Sequence, residues 1–320
     1  MVNVFVRIER DGVVGMGEAS PNAYYGEDAP GVAVRLEGLG GFLAGRRVES
    51  PADIAAIWEE AWPLLAPSRA AQCALDVALW DWLGQRRGCT VTELALGAMA
   101  RPVNSFATIG LSSHEELGSK IAELAGFPMV KIKADRSGEV CAAGLTRAAM
   151  PATRMALDAN CAWEAVDAER VAGELAGLGI EFIEQPLPPA RDEAMPVFRA
   201  RLPLSMMADE SCVTEGDVER MPGLFDGFNV KLVKCGGLTP ALRMARRGRA
   251  LGLKTMVGCM LESSLLIAAG AVAAQIMDYA DLDGAWLLAD DPATGWAFER
   301  GVLSPGAGAG LGAVVRDWMG

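Results

Sequence analysis

The feature of this sequence that most constrains its fold is a strand–helix pattern that repeats from about residue 103. Short apolar stretches typical of buried strands alternate there with segments of helical periodicity, and successive strand ends lie 22 to 27 residues apart. A near-constant step of this size is typical of repeated βα units, and eight such units close into a barrel. The strands are predicted to end near Thr108, Lys133, Asp158, Glu184, Asp209, Lys231, Gly258 and Asp283. We therefore predict an α/β fold in which residues 103–290 form a (β/α) barrel, that is, a modified TIM barrel.

Residues 1–102 follow a different pattern and are predicted to form an α+β capping domain. A hairpin comes first, and two stretches of helical character follow it. The predicted strands cover residues 2–8 and 13–19 around the turn Asp11-Gly12, and the predicted helices cover residues 51–65 and 68–86. The Gly- and Pro-rich segment 291–320 is predicted to return to this cap.

Bulk composition narrows the class of protein. The chain has 320 residues, of which 51% are hydrophobic, and a net charge of −12 from dispersed acidic residues, which argues against nucleic-acid binding. The apolar stretch 265–277 is too short to span a bilayer, and the seven scattered cysteines include no CxxC pair, which favours reduced thiols. We expect a cytoplasmic protein that binds neither nucleic acid nor membrane. A homo-oligomer is the default for such a barrel.

The single histidine, His114, excludes several kinds of site. It stands at a predicted helix start, which argues against a histidine-based triad, a histidine-ligated zinc site and a histidine general base. If the chain carries out acid–base chemistry, its proton carriers must therefore be Lys, Asp, Glu, Tyr or Cys.

Charged side chains end most of the predicted barrel strands. Lys131 and Lys133 lie on the same side of one strand because side chains alternate with period two. The carboxylates Asp158, Glu184 and Asp209 end the next three strands, and Lys231 ends the sixth. Since the C-terminal ends of barrel strands meet at one mouth, we expect these six side chains to come together.

Three converging carboxylates predict a hard cation, and magnesium suits such oxygen ligands. A substrate carboxylate bound to that ion could accept a second charge when its α-carbon loses a proton, giving an enediolate. Lysines from the second and sixth strands would flank the ion, so that one removes the proton and the other returns a proton to the opposite face. The base must be neutral, which requires its pKa to fall from about 10.4; Lys131 is one source of the charge needed.

Each residue alone has a simpler interpretation. A single Asp or Glu at a strand end is more often a helix cap or a surface group, and a single Lys-x-Lys is usually a solvated edge. The complete set at successive strand ends is much harder to obtain by accident.

These residues resemble the enolase superfamily, and within it the subgroup related to muconate lactonising enzyme. The resemblance covers nearly the whole chain, including the stretch Gly17-Glu18-Ala19-Ser20-Pro21 in the cap. It implies that Lys133 and Lys231 are the acid/base pair and that Lys131 binds the substrate carboxylate. It also implies that three carboxylates bind magnesium, namely Asp158, Glu184 and Asp209. Asn160 and Glu210 would adjoin these ligands without binding the ion themselves.

The eighth predicted strand end resembles the dipeptide epimerases of this subgroup. Asp281 and Asp283 match their Asp-x-Asp pair, which implies a receptor for the free ammonium group of a dipeptide. The resemblance also implies that Cys259 and Leu261 lie along the bound substrate and that Thr108 contacts it. The implied activity is magnesium-dependent epimerisation of L-Ala-D/L-Glu-type dipeptides. Helix capping is the simpler interpretation of the Asp pair.

Alternatives remain open. The same lysine pair could catalyse o-succinylbenzoate synthesis, N-acylamino-acid racemisation or muconate cycloisomerisation, although none of these substrates has an ammonium group for the Asp pair. Members of the family normally begin with another strand and a mobile loop, and we expect both to be missing from this sequence. A non-catalytic relative is therefore the third hypothesis.

Overall fold

The computed structural model describes residues 2–111, 113–134, 139–163 and 165–316. The described strands are β1 (Val4–Arg10), β2 (Val13–Ala19), β3 (Val103–Asn104), β4 (Ala107–Ile109), β5 (Met129–Lys133), β6 (Arg154–Asp158), β7 (Ile180–Glu184), β8 (Ser205–Ala208), β9 (Gly227–Lys231), β10 (Lys254–Gly258), β11 (Tyr279–Asp281), β12 (Ala293–Thr294), β13 (Ala297–Glu299), β14 (Val302–Ser304) and β15 (Val314–Val315). The α-helices are α1 (Ala29–Glu37), α2 (Leu39–Leu43), α3 (Pro51–Leu65), α4 (Arg69–Arg87), α5 (Val91–Leu96), α6 (His114–Glu123), α7 (Glu139–Ala149), α8 (Ala165–Gly177), α9 (Met195–Arg201), α10 (Glu215–Val218), α11 (Leu232–Cys235), α12 (Leu238–Ala250) and α13 (Ser264–Ala274). Two 3₁₀ helices cover Ala23–Tyr25 and Pro189–Ala194.

The cap consists of the β1–β2 hairpin and helices α1 to α5. The hairpin is antiparallel, with Val4 opposite Ala19 and Arg10 opposite Val13. Strand β2 lies directly on α4 because Gly17 has no side chain: a Cβ there would lie 2.0 Å from the carbonyl oxygen of Ala74. Helix α4 is consequently buried along most of its length and forms the centre of the cap.

The barrel confirms the predicted fold. Strands β4 to β11 form one parallel sheet in chain order. The N–H of Phe106, next to β4, donates to the carbonyl oxygen of Ala280 in β11 at 2.8 Å and joins the last strand to the first. Most strands end within one residue of the predicted positions, but β11 ends at Asp281, so Asp283 lies in the turn that follows.

Strand periodicity divides the barrel interior into an apolar layer and a polar layer. Buried apolar side chains from six positions pack together at the lower level: Phe106, Met129, Ala156, Phe182, Met207 and Met256. Two residues further along the same strands, the next side chain on that face is polar at most positions, as in the step from Phe182 to Glu184. The apolar layer therefore closes the barrel beneath the charged mouth.

The cap and the C-terminal segment are both attached to the barrel. Asp76 of α4 accepts a hydrogen bond from the N–H of Thr239 at 2.9 Å, which places the start of α12 against the cap. The segment reaches the cap through Leu311, whose N–H donates to Asp81 at 2.9 Å, whereas β14 pairs with β3 beside the barrel. Among the residues described, helices long and apolar enough to cross a membrane do not occur.

Candidate active site

Three buried carboxylates lie side by side at the C-terminal ends of consecutive strands. Asp158 and Glu184 are the last residues of β6 and β7 and stand opposite each other in the parallel register. Asp209 follows β8 directly. All three side chains are essentially inaccessible to solvent, at 0%, 0% and 1% exposure. The predicted row of carboxylates is therefore present at the barrel mouth.

The predicted acid/base lysines contact opposite ends of this row. The Nζ of Lys133 lies 2.6 Å from Oδ2 of Asp158, and the Nζ of Lys231 lies 2.9 Å from Oδ2 of Asp209. Lys133 is the more accessible of the two lysines, with 29% of its side chain exposed against 11% for Lys231.

Lys131 lies deeper in the barrel than Lys133, at 2% exposure. Its Nζ is 3.0 Å from Oε2 of Glu184 and 3.5 Å from Oδ2 of Asp158, and it also contacts Asp281. Lys131 thus joins the carboxylate row to the eighth strand, where the resemblance to dipeptide epimerases implies an ammonium receptor.

Mutual proximity shifts the pKa of these groups in opposite directions. Burial, and then the charge of Asp158, raises the pKa of Glu184 to about 7. Burial alone would raise the pKa of Asp209, but Lys231 and Lys234 outweigh it and lower that pKa. Burial alone would lower the pKa of Lys231, but Asp209 and Glu184 outweigh it and raise that pKa. The pKa of Lys231 is thus raised, whereas a neutral base needs a lowered pKa, because the carboxylates stabilise its ammonium form.

The three carboxylates suit a hard divalent cation. Their oxygens are the ligand type that magnesium prefers, and their burial together is costly without a positive charge among them. Within the described ranges, no three Asp, Glu, Cys or His side chains already stand in a ready metal-binding arrangement. Ammonium groups of lysine contact the carboxylates instead, as between Lys231 and Asp209. The type and burial of the three carboxylates fit magnesium, and an ion bound there would compete with these lysine contacts.

The Asp pair of the eighth strand is buried beside Lys131. Asp283 accepts a hydrogen bond from the N–H of Thr108 at 2.7 Å, so the predicted contact residue on the first strand is tied to this pair by its backbone. Burial and the charge of Asp281 raise the pKa of Asp283 to about 6. The Oδ1 of Asp281 is buried and accepts no hydrogen bond from the described part of the chain.

Cys259 and Leu261 belong to the β10–α13 segment, defined here as residues 259–263. It follows Gly258, which stands in register with both Lys231 and Asp281. Cys259 is partly buried, and burial followed by the nearby charge of Glu262 raises the pKa of its thiol. Leu261 is 39% exposed, and the hydrogen bonds of its carbonyl join it to the cap.

Asn160 and Glu210 adjoin the metal-ligand candidates. The N–H of Asn160 donates to Oδ1 of Asp158 at 3.0 Å, and its side-chain oxygen accepts from Lys133 at 3.1 Å. Burial and Asp209 raise the pKa of Glu210, whose Oε2 has no hydrogen-bond partner in the described ranges. Asn160 thus bridges a predicted ligand and a predicted base.

Two buried residues in the site were missed at the sequence level. Lys234, three residues after Lys231, contacts Oδ1 of Asp209 and donates to its carbonyl oxygen at 2.6 Å. Asn229 donates from Nδ2 to Oε1 of Glu184 at 2.6 Å. A lysine among apolar neighbours in Asn-Val-Lys-Leu-Val-Lys was the available signal for Lys234.

The cap also approaches the mouth. Burial, and then the charge of Asp209, raises the pKa of Tyr25, which ends the first 3₁₀ helix. Tyr25 has no local sequence signal that predicts this position, because its closeness to Asp209 depends on how the cap packs on the barrel.

Comparison with sequence families gives two matches that together cover most of the chain. Residues 115–318 match the family described as Enolase C-terminal domain-like. Residues 2–97 match the N-terminal domain of the mandelate racemase / muconate lactonizing enzyme family.

Several proteins similar to this chain are named epimerases, and one that is 32% identical over 75% of this chain is named an N-acetyl-D-glutamate racemase. An L-Ala-D/L-amino acid epimerase of Flavobacterium johnsoniae is 37% identical over 94% of this chain and 88% of its own length. A hydrophobic dipeptide epimerase of Roseobacter litoralis is 36% identical over 98% of this chain and 91% of its own length. The solved structure of a dipeptide epimerase from Enterococcus faecalis, complexed with Mg and the dipeptide L-Leu-L-Tyr, superposes with a TM-score of 0.89. It is 31% identical and covers 97% of this chain and 91% of its own.

Proposed function

Because this chain belongs to the mandelate racemase and muconate lactonizing enzyme family of the enolase superfamily, we propose that it is a magnesium-dependent dipeptide epimerase. The observation that carries the proposal is the position of the two lysines. Lys133 contacts Asp158 at 2.6 Å and Lys231 contacts Asp209 at 2.9 Å, at the two ends of one row of buried carboxylates. A substrate carbon between them would present one face to each lysine.

The proposed reaction inverts the α-carbon next to the substrate carboxylate. Asp158, Glu184 and Asp209 would hold Mg²⁺, which would supply Lewis-acid stabilisation of the negative charge that develops on the substrate carboxylate. One lysine, in its neutral form, removes the α-proton, and the electron pair of the broken C–H bond moves into the carboxylate. The other lysine, as ammonium, then gives a proton to the opposite face. The lysines exchange protons with solvent afterwards.

The lysine that removes the α-proton must be neutral, and the charges around it decide whether it is. In the structure, Asp209 and Glu184 raise the pKa of Lys231 and so favour its ammonium form. The same carboxylates are the proposed ligands, so a divalent cation would offset their charge and lower the pKa of the lysine. Lys131, beside Glu184, would bind the substrate carboxylate.

The Asp pair supports a substrate with a free amino terminus. Asp281 has a buried oxygen that accepts no hydrogen bond from the described residues, and such an oxygen is costly unless a donor fills the site. An ammonium group would supply that donor and a complementary charge. Cys259, Leu261 and Thr108 would lie along the dipeptide. L-Ala-D/L-Glu-type dipeptides are the proposed substrates, because a relative from Escherichia coli that is 32% identical to this chain is named an L-Ala-D/L-Glu epimerase.

The test is α-proton exchange in deuterated water. The purified protein would be incubated with Mg²⁺ and matched pairs of L-Ala-L-Xaa dipeptides and their N-acetyl forms, and deuterium uptake read by mass spectrometry. We expect uptake at the C-terminal residue of the free dipeptides. Uptake should be lost with a chelator, and also in whichever of Lys133→Ala and Lys231→Ala lacks the lysine that faces the L epimer. Lys254→Ala is a matched control, since Lys254 is exposed and pairs with Asp278 away from the mouth.

Different results would separate the alternatives. Preferential uptake by N-acetyl compounds would favour an N-acylamino-acid racemase and contradict the role of Asp281. Magnesium binding without exchange on any free or acylated compound would favour a non-catalytic relative. If Asp281→Asn exchanged the dipeptide proton at the wild-type rate, the Asp pair would not be a substrate-binding site.

A further inference from the structure

The β10–α13 segment is held from the cap side by hydrogen bonds. The carbonyl oxygen of Leu261 accepts from Nδ2 of Asn3 at 2.9 Å and from Oγ of Ser20 at 3.1 Å. Asn3 precedes β1 and Ser20 follows β2, so both ends of the cap hairpin reach the same carbonyl. The backbone of a predicted substrate-contacting residue is therefore positioned by cap side chains.

Glu18 of β2 forms the most buried part of this contact. It is 0% exposed, and its Oε1 accepts from the N–H of Ser263 at 3.0 Å and from Nδ2 of Asn3 at 2.8 Å. Its other oxygen accepts from the hydroxyl of Ser263. Ser263 is the N-cap of α13, where its Oγ accepts from the N–H of Leu265 at 3.2 Å.

This geometry binds a cap carboxylate to the first turn of a barrel helix. Unpaired backbone N–H groups and the helix dipole favour negative charge at such a position. Burial raises the pKa of Glu18, while the hydrogen bonds from Ser263 and Asn3 oppose that shift. Loss of the carboxylate would leave buried donors at Ser263 without an acceptor.

The other side of the segment is packed against the barrel mouth. Gly284 follows Asp283, and a Cβ on it would lie 2.3 Å from the carbonyl oxygen of Met260 and 3.1 Å from Sγ of Cys259. The segment is thus confined between the cap and the turn that carries the Asp pair. Because the segment is held on both of these sides, we expect a shift at Ser263 to displace Cys259 or Leu261.

We propose that Glu18 is a positioning residue for substrate selection, acting through Ser263 to hold the β10–α13 segment beside the bound dipeptide; this rests on the proposed epimerase function. Glu18 touches neither substrate nor metal in this account. Its loss should change which dipeptide side chains are accepted while leaving the carboxylate row able to bind magnesium.

The chain offers a matched control in Asp81. This carboxylate is also buried in the cap and accepts two backbone N–H groups, from Met16 and Leu311, both at 2.9 Å. Its partners belong to the hairpin and the C-terminal segment rather than to the barrel mouth. Asp81→Asn therefore carries a comparable loss of buried hydrogen bonding without a direct effect on the β10–α13 segment.

The experiment compares Glu18→Gln, Ser263→Ala and Asp81→Asn with the wild-type protein. KM and kcat would be measured for L-Ala-L-Glu and L-Ala-L-Leu, magnesium affinity by calorimetry, and amide hydrogen exchange over residues 258–266 by mass spectrometry. In Glu18→Gln we expect KM to rise about five-fold or more, a changed kcat/KM ratio between the dipeptides, and faster amide exchange. Magnesium affinity should stay the same. Ser263→Ala should act in the same direction, and Asp81→Asn should not.

Two results would overturn the inference. The first is that amide exchange in the β10–α13 segment stays at the wild-type rate in Glu18→Gln and Ser263→Ala. The other is a ratio of kcat/KM values that stays at the wild-type value, or changes equally in Asp81→Asn. If the wild-type protein turns over no dipeptide, the epimerase proposal fails, while amide exchange still decides whether Glu18 holds the segment.

Discussion

Lys133 and Lys231 contact different carboxylates, and this separation predicts that each serves one epimer. In Lys133→Ala and Lys231→Ala, net epimerisation should fall by about 10³-fold or more, since a positioned acid or base contributes on the order of 10²–10⁴. Each variant should still exchange the α-proton of the epimer that faces its remaining lysine. Deuterium exchange followed separately from L,L- and L,D-dipeptides by NMR measures this.

Stability must be checked beside activity in these variants. Only 11% of the Lys231 side chain is exposed, and its removal leaves Asp209 with Lys234 as its remaining cationic contact in the described structure. Breaking a buried pair costs about 3–5 kcal/mol when one charge is left alone, so a smaller loss is expected here. Loss of exchange from the same epimer in both variants would contradict the two-face arrangement.

Residue positions were predictable wherever strand periodicity decides them. The side chains of Asp158 and Glu184 follow from period two and from the common direction of parallel strands. Lys234 and Asn229 could not be found this way. Lys234 lies in the short helix α11 after a strand, and its contact with Asp209 depends on how that turn folds back over the mouth.

At the scale of elements, the β10–α13 segment contains one buried carboxylate, Glu262, and its burial predicts a pH effect. Burial raises the pKa of Glu262 from 4.5 to about 8; the charge of Glu18 adds to this, and the N–H of Met260 and Lys231 oppose it. Between these two values the folded chain keeps a proton that the unfolded chain has lost. Its stabilising contribution is therefore complete below about 4.5 and is lost as pH rises toward 8.

The variant Glu262→Gln removes this titration. We expect its free energy of unfolding to fall less between pH 5 and pH 8 than that of the wild-type protein, by roughly 3 kcal/mol. Urea unfolding across that range measures the difference, and Glu219→Gln, at an exposed ion pair with Arg247, is the control. Parallel curves for wild type and Glu262→Gln would show that Glu262 does not titrate in this window.

Element boundaries were less predictable than element types. The first strand was predicted at residues 2–8, whereas β1 covers Val4–Arg10, because alternation alone does not say where pairing with β2 stops. The domain boundaries at residues 102 and 290 stay predictions. Strand β3 begins directly after residue 102, within the predicted barrel range, but it pairs with β14 rather than with a barrel strand.

At the scale of the whole molecule, the strand–helix repeat was sufficient to predict the barrel but not how the cap packs on it. Eight βα units of similar length have one common way to close, so their order and direction follow from the sequence. The contacts of Glu18 with Ser263 and of Asp76 with Thr239 join residues more than 160 positions apart. Such pairs have no local sequence signal, because they depend on how the cap docks on the barrel.

Magnesium should stabilise the whole molecule if the carboxylate row binds it. An ion that binds only the folded chain adds RT ln(1 + [Mg²⁺]/Kd), about 2.7 kcal/mol at one hundred times Kd. For a chain of this size that corresponds to a rise in Tm of roughly 5 °C. Calorimetric melting over a range of MgCl₂, with chelator as the reference, measures the rise.

A variant pair decides where the ion binds. Glu184→Gln keeps the size of the side chain and an oxygen for Asn229 but removes a charge, so the magnesium-dependent rise should largely disappear. Asp81→Asn, which alters a buried carboxylate in the cap, should keep the full rise even if its own Tm is lower. An equal rise in Glu184→Gln would mean that the stabilising ion binds outside the carboxylate row, and the epimerase proposal would then lose its metal.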